Sequence, residues 1–230
     1  DLPTDLAALR GAREVDFYRA LGVTGPLAVA GNPQVEVRPP SSLDPRLPVV
    51  FAPRPLPPAE VGGQVRALAA VADQVVVSPH PRMRSQVYAD LWPRHWTVHE
   101  GPTVELLRRG HPCVVQVSSG VAWEAMAHGV PVVELAQPGG GSPLYPLIQA
   151  PYAQRCAEPG DLPAAVAEAL GRAGDPAARA EQMAWAGEWC QATGPEAIEA
   201  AVGCIEGWVA AGGSATGPLL DSWAPREAQR

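Results

Sequence analysis

From Pro48 to Leu135 the chain repeats one pattern: a short, continuous apolar run, a turn, then a segment with helical spacing. The runs are Pro48–Ala52, Gln74–Ser78, Trp96–His99, Cys113–Val117 and Pro131–Leu135. Between them lie the predicted helices Ala59–Ala72, Met83–Trp92, Val104–Arg109 and Val121–His128. A strand with one wet face alternates apolar and polar residues. Apart from Trp96–His99, which reads only as a short third strand, these runs do not alternate, so both faces are covered. Buried strands that alternate with helices predict a doubly wound, mostly parallel α/β sheet of Rossmann-like type. Pro131–Leu135 reads as its last strand.

The flanks are read the same way. Apolar positions at three- and four-residue spacing predict helix over Asp5–Arg10 and Glu14–Leu21. Leu27–Ala30 is a short apolar stretch, ended by Gly31-Asn32-Pro33, and residues 38–48 form a proline-rich linker. After a Gly/Pro-rich loop at 136–150, helices are expected from Asp161, from Asp175-Pro176 with Asp as cap and Pro at the first position, and over Pro195–Val209. Residues 213–230 read as a loose tail.

Charge and composition exclude several functions. The net charge of −7 argues against nucleic acid, whose phosphate backbone demands a basic face. No apolar run reaches the roughly 18 residues of a membrane span, and no signal peptide is visible. The four cysteines, 113, 156, 190 and 204, lack CxxC spacing and read as reduced and buried, which predicts a cytoplasmic protein. All 17 basic residues are arginine, so a bound phosphate would be held by Arg, His, hydroxyls or backbone N–H groups.

Ligands of open α/β sheets bind beyond the carboxyl ends of the strands, and that rule selects the candidate residues. Arg54 follows the first run, in Pro53-Arg54-Pro55. His80 and Arg82 follow the second, where Pro79 and Pro81 stiffen the backbone around an imidazole able to donate to a phosphate oxygen. Ser118, Ser119 and Gly120 follow Cys113–Val117 and open directly into a helix, an arrangement suited to an anion. Glu124, one turn later, is placed to accept hydrogen bonds from ribose hydroxyls. Each has an ordinary structural alternative: a surface arginine, a turn-filling histidine, a serine cap, a solvated glutamate. Glu134, at the end of Pro131–Leu135, faces either ligand or solvent. Gly139-Gly140-Gly141-Ser142 has no following lysine and is no P-loop. His95, His99, His111 and His128 lack metal-ligand spacing, so no metal is expected.

The order of these motifs resembles the C-terminal half of GT-B fold proteins. Gly31-Asn32-Pro33, Pro79-His80-Pro81, Ser118-Ser119-Gly120, Glu124-Ala125 and Gly129-Val130-Pro131 carry the likeness. Ser118–Ala125 is similar to the serine–glycine stretch of UDP-N-acetylglucosamine 2-epimerases. Pro79-His80-Pro81 is more like the element of CDP-glycerol glycerophosphotransferases and capsule-type transferases. The resemblance implies diphosphate contacts at Ser118, Ser119 and Gly120, a ribose contact at Glu124, and a catalytic or phosphate contact at His80, with Arg54 and Arg82 beside them. It implies a nucleotide-diphosphate sugar as donor substrate and no other cofactor. It also divides the chain into a remnant of an N-terminal domain with an interdomain linker (1–47), a nucleotide-binding domain (48–212) and the tail (213–230). The rest of the N-terminal domain, missing or carried by a partner chain, would supply the acceptor site and the base.

The expected activity is that of a metal-independent glycosyltransferase whose donor half stabilises the leaving diphosphate. The alternatives are a sugar-nucleotide epimerase and a non-catalytic nucleotide-binding or interaction domain. Where the epimerases carry paired acids, this chain has Trp123-Glu124.

Overall fold

The structure is a computed structural model that describes residues 6–83, 85–117, 119–135, 152–156 and 158–212. In chain order the elements begin with β1 (Ala7–Leu9), α1 (Ala12–Ala20), β2 (Leu27–Val29), β3 (Val49–Ala52), α2 (Pro58–Ala69), β4 (Val75–Val77), α3 (Gln86–Ala89) and β5 (Thr97–Val98). They continue with α4 (Thr103–Arg108), β6 (Val114–Gln116), α5 (Val121–Ala127), β7 (Val132–Leu135), β8 (Ala153–Cys156), α6 (Leu162–Ala173), α7 (Pro176–Trp189) and α8 (Gly194–Ala210). The chain divides into two compact units: residues 38–183, and residues 1–37 together with 184–230.

The larger unit is built on a six-stranded sheet in the order β5-β4-β3-β6-β7-β8, every pair parallel. The apolar runs produce it as the sequence predicts. Val50 pairs with Val76 on one side and with Val114 on the other, and all of β3, β4, β6 and β7 is buried. Phe51, Val77, Val115 and Val133 form one core layer with Val61, Val65 and Leu68 of α2 and Leu162, Val166 and Ala169 of α6. Burying one such side chain contributes about 1.5–3 kcal/mol. Side chains alternate faces along a strand, so Val50, Val114 and Val132 point the other way. α5 packs against β6 and β7 and also against α4.

The first half of α7 is tied to the turn between α5 and β7 and to the segment at Pro40. Its start is capped as expected: the N–H groups of Ala177 and Ala178 donate to Asp175 Oδ1 at 2.9 and 3.2 Å. Buried Arg179 donates to the carbonyls of Gly129 and Pro40, both at 3.1 Å. Gln182 donates to the Val130 carbonyl at 3.0 Å.

In the smaller unit β1 and β2 pair in parallel, Ala7 opposite Leu27, with α1 between them in sequence. The inner face of α8 presents Ala197, Ala200 and Cys204, and the Cys204 thiol donates to the Val29 carbonyl at 3.4 Å. Its outer face leaves Ile198, Val202, Ile205 and Val209 exposed.

Three expectations need correction. Within the predicted helix Asp5–Arg10, the described residues 6–10 are not helical: Ala7–Leu9 forms β1, because pairing with β2 outweighs the weak local helix preference of so short a segment. Pro131–Leu135 is not the last strand: β8 adds a further edge beside β7. Only Cys156 of β8 is buried, so no continuous apolar run marked it. Met83–Trp92 is helical only over Gln86–Ala89, preceded by a 3-10 turn at Pro81–Met83. The loop 136–150 and the tail 213–230 lie outside the described residues.

Candidate functional site

The strand order reverses at β3. The chain leaves β3 toward β4 and β5 on one side, then returns to build β6, β7 and β8 on the other. Crevices form at such a switch point, beyond the carboxyl ends of the strands, and a cleft of about 340 Å³ opens there. Its walls are the end of β3 (Ala52, Pro53), the loop after β4 (Ser78–Pro81), the segment before α4 (Glu100–Thr103) and the entry to α5 (Ser119, Val121). That volume lies in the range of small-molecule sites. A second cleft of about 350 Å³ adjoins it, sharing Pro79 and Glu100 and walled by Met83, Ala89, Trp92, Val98 and His99.

His80 is exposed on the cleft wall. Its Nδ1 accepts the Arg82 backbone N–H at 3.2 Å. The neutral ring therefore carries its proton on Nε2, which is left to donate. Beneath it, Ser78 is buried and shares a hydrogen bond with Thr103 through their hydroxyls at 2.8 Å.

The entry to α5 is anchored from below. Gln116 ends β6 fully buried, directly opposite Glu134 of β7. Its Nε2 donates to Glu134 Oε2 at 2.9 Å, and its Oε1 accepts the Ser119 N–H at 2.7 Å. Ser119 Oγ accepts the Val121 N–H at 3.3 Å, which leaves the hydroxyl proton free to donate. A Cβ on Gly120 would meet no atom within 4 Å, so that backbone faces open space.

The structure brings His80 and Ser119 together in one cleft. Arg54 is half-buried in the loop after β3, Arg82 is exposed in the 3-10 turn, and Gly120 and Glu124 lie on the first turn of α5. None of these four is a lining residue of the cleft. Ser118 lies outside the described residues. The Glu124 carboxyl is half-buried, and burial holds its pKa above the ordinary value. Among the described residues, no group of three or more His, Cys, Asp or Glu side chains is placed to hold a metal ion.

Sequence reasoning missed Ser78, Glu100, Gly101, Thr103 and the Gln116 anchor. Glu100–Thr103 follow a strand and open a helix, the rule that selected His80 and Ser119. Gln116 is the one amide inside the otherwise apolar run Cys113–Val117. Two other histidines are structural. His111 Nδ1 bonds the Pro48 carbonyl at 2.7 Å, His128 Nδ1 bonds the Glu124 carbonyl at 2.7 Å, and burial lowers both pKa values. All four cysteines are free and buried, with thiol pKa values raised by burial.

Solved structures share this architecture. Sucrose-phosphate synthase from Thermosynechococcus elongatus matches with a TM-score of 0.56 and 17% identity, over 91% of this chain and 59% of that one. The pneumococcal O-GlcNAc transferase GtfA, solved with UDP and GlcNAc, matches at 0.54 and 11% identity, over 90% and 46%. The spinosyn rhamnosyltransferase SpnG, solved with spinosyn aglycone, matches at 0.52 and 17%, over 77% and 51%. The chain has the α/β fold of the GT-B glycosyltransferases. At these identities the likeness is one of fold, and the chain spans about half the length of the structures it matches. No family model matches the sequence, and no curated protein matches it. No described helix is long and apolar enough to cross a membrane.

Proposed function

We propose that the larger unit is the donor half of a glycosyltransferase, binding a nucleotide-diphosphate sugar in the cleft beyond β3, β4 and β6. One observation carries this reading: the GT-B fold brings His80 and Ser119, chosen from sequence as phosphate contacts, into a single cleft at the switch point of the sheet. His80 Nε2–H, the Ser119 hydroxyl and the Gly120 N–H are the donors that meet the diphosphate. Ser118 is a further diphosphate contact in this reading, and Arg54 and Arg82 add positive charge from the neighbouring loops. Glu124 accepts the ribose hydroxyls, which relieves a carboxylate that burial disfavours.

Donors aimed at the leaving diphosphate stabilise the charge that develops as the glycosyl bond breaks. In this scheme they do so without a divalent cation. The proton of the attacking hydroxyl goes to a base outside the donor half. That base, with the acceptor site, belongs to a second domain in the same chain or in a partner. The exposed apolar row Ile198, Val202, Ile205 and Val209 on α8 supports such a partner, since contiguous apolar surface marks docking sites. Four free, buried cysteines fit a reducing cytoplasm.

Calorimetric titration with UDP, CDP and GDP in the presence of EDTA tests the proposal. Binding of one diphosphate, weakened about tenfold or more by His80→Ala, supports it. Equal affinity in wild type and variant removes His80 from the site.

A further inference from the structure

Two polar side chains are buried side by side within the strand layer behind the cleft, and the proposed ligand contacts do not use them. Gln116 is wholly buried and Glu134 is 3% exposed. Their strand neighbours Val114, Val115, Val132 and Val133 are all apolar and fully buried. A buried carboxylate costs several kcal/mol of desolvation, and an apolar pair of similar volume is often as stable or more so. The geometry shows what the polar pair achieves. Glu134 Oε2 is the acceptor in this pair, so Glu134 fixes which end of the Gln116 amide faces it. The amide NH₂ turns to Glu134 at 2.9 Å, and the carbonyl oxygen is thereby turned to the Ser119 N–H at 2.7 Å. One orientation of the amide satisfies both neighbours, and the flipped one satisfies neither.

We propose that Gln116 and Glu134 are positioning residues for the proposed nucleotide site: the Glu134 carboxylate sets the Gln116 amide, and the amide clamps the Ser119 backbone at the rim of the cleft. The clamp takes the Ser119 N–H out of the set of donors available to an anion. It leaves the Ser119 hydroxyl, already accepting the Val121 N–H, with its proton free for the ligand. Specificity for a diphosphate at this point comes from a hydroxyl held at a fixed place. This rests on the reading of the cleft as a nucleotide site.

Exchange of one hydrogen-bond direction for the other provides the test. Gln116→Glu places two carboxylates face to face. Gln116→Glu with Glu134→Gln restores the bond with its polarity reversed, because Gln at 134 donates to Glu at 116, which still accepts the Ser119 N–H. The readouts are hydrogen exchange at the Ser119 amide and UDP affinity, both taken well below the melting transition. Gln116→Leu and Gln116→Glu should speed Ser119 exchange and weaken UDP binding about tenfold, and the double variant should recover both. Glu134→Leu removes the acceptor that sets the amide and should speed Ser119 exchange as Gln116→Leu does; unchanged exchange there removes Glu134 from the clamp. Unchanged Ser119 exchange in Gln116→Leu, or no recovery in the double variant, overturns the clamp. Faster exchange and its recovery in a chain that binds no UDP would uphold the clamp and reject the nucleotide reading.

Discussion

Ser78 and Thr103 share a hydrogen bond of 2.8 Å through their hydroxyls, joining the loop after β4 to the first residue of α4. Both side chains belong to the wall of the cleft. The bond holds the loop that carries His80 against the segment Glu100–Thr103. Ser78→Ala and Thr103→Val should each cost about 1 kcal/mol, a Tm loss of about 2–4 °C for a chain of this size. The double variant should lose much less than the sum, because each single change already breaks the same bond. Thermal melts of the four proteins check this, and additive losses would show the two hydroxyls to be independent.

Glu124 and the buried histidines give opposite pH dependences. Burial raises the Glu124 pKa from 4.5. Above pH 4.5 the unfolded chain releases this proton while the folded chain still holds it. Its contribution is therefore favourable at low pH and is lost as pH rises through the folded value. Glu124→Gln should raise Tm at pH 7 and lower affinity for the nucleotide, a trade of function for stability. His111 and His128 have pKa values lowered from 6.5 by burial. Their contribution is present above pH 6.5 and is lost as pH falls through their folded values. In the Glu124→Gln background, Tm should drop as pH is taken from about 7 to 5. A flat profile would mean that neither ring is held neutral by the fold.

Gly110 turns the chain from α4 toward β6 at φ +83°, and a Cβ there would lie 2.7 Å from the Ser42 carbonyl oxygen. A left-handed alanine costs about 1–2 kcal/mol before any clash, and the neighbour here is backbone. Gly110→Ala should cost more than about 2 kcal/mol, seen as a lower urea midpoint. A loss below about 0.5 kcal/mol would be that of an ordinary surface change.

Arg179 makes its contribution through two carbonyls, those of Gly129 and Pro40. Arg179→Met keeps much of the packing and removes both bonds. Hydrogen bonds to a charged group contribute about 1.5–3 kcal/mol each, so a loss of about 3–6 kcal/mol is expected on chemical denaturation. An unchanged midpoint would show that water replaces both bonds.

The sheet was legible because buried parallel strands are continuous apolar runs, and β3, β4, β6 and β7 are such runs. β8 was not, for the same reason. Ala7–Leu9 reads with its neighbours as helical spacing and is a strand because β2 lies beside it. Ala153–Cys156 is an edge strand with one buried side chain. At the site, His80 was legible from two prolines at a strand end and Ser119 from a small-residue turn into a helix. Glu100–Thr103 follows the strand predicted at Trp96–His99 but carries no basic residue to mark it as a phosphate contact. The role of Gln116 depends on its register opposite Glu134, which pairing across the sheet decides and sequence spacing does not reveal.

The most direct measurement is nuclear magnetic resonance titration of the chain with UDP, CDP and GDP without metal, following backbone amides. The account predicts that one diphosphate binds, with shifts concentrated at His80, Gly101, Ser119 and Gly120, and that His80→Ala weakens it about tenfold or more. Binding that shifts residues elsewhere on the fold, or no binding by any of the three, would contradict it.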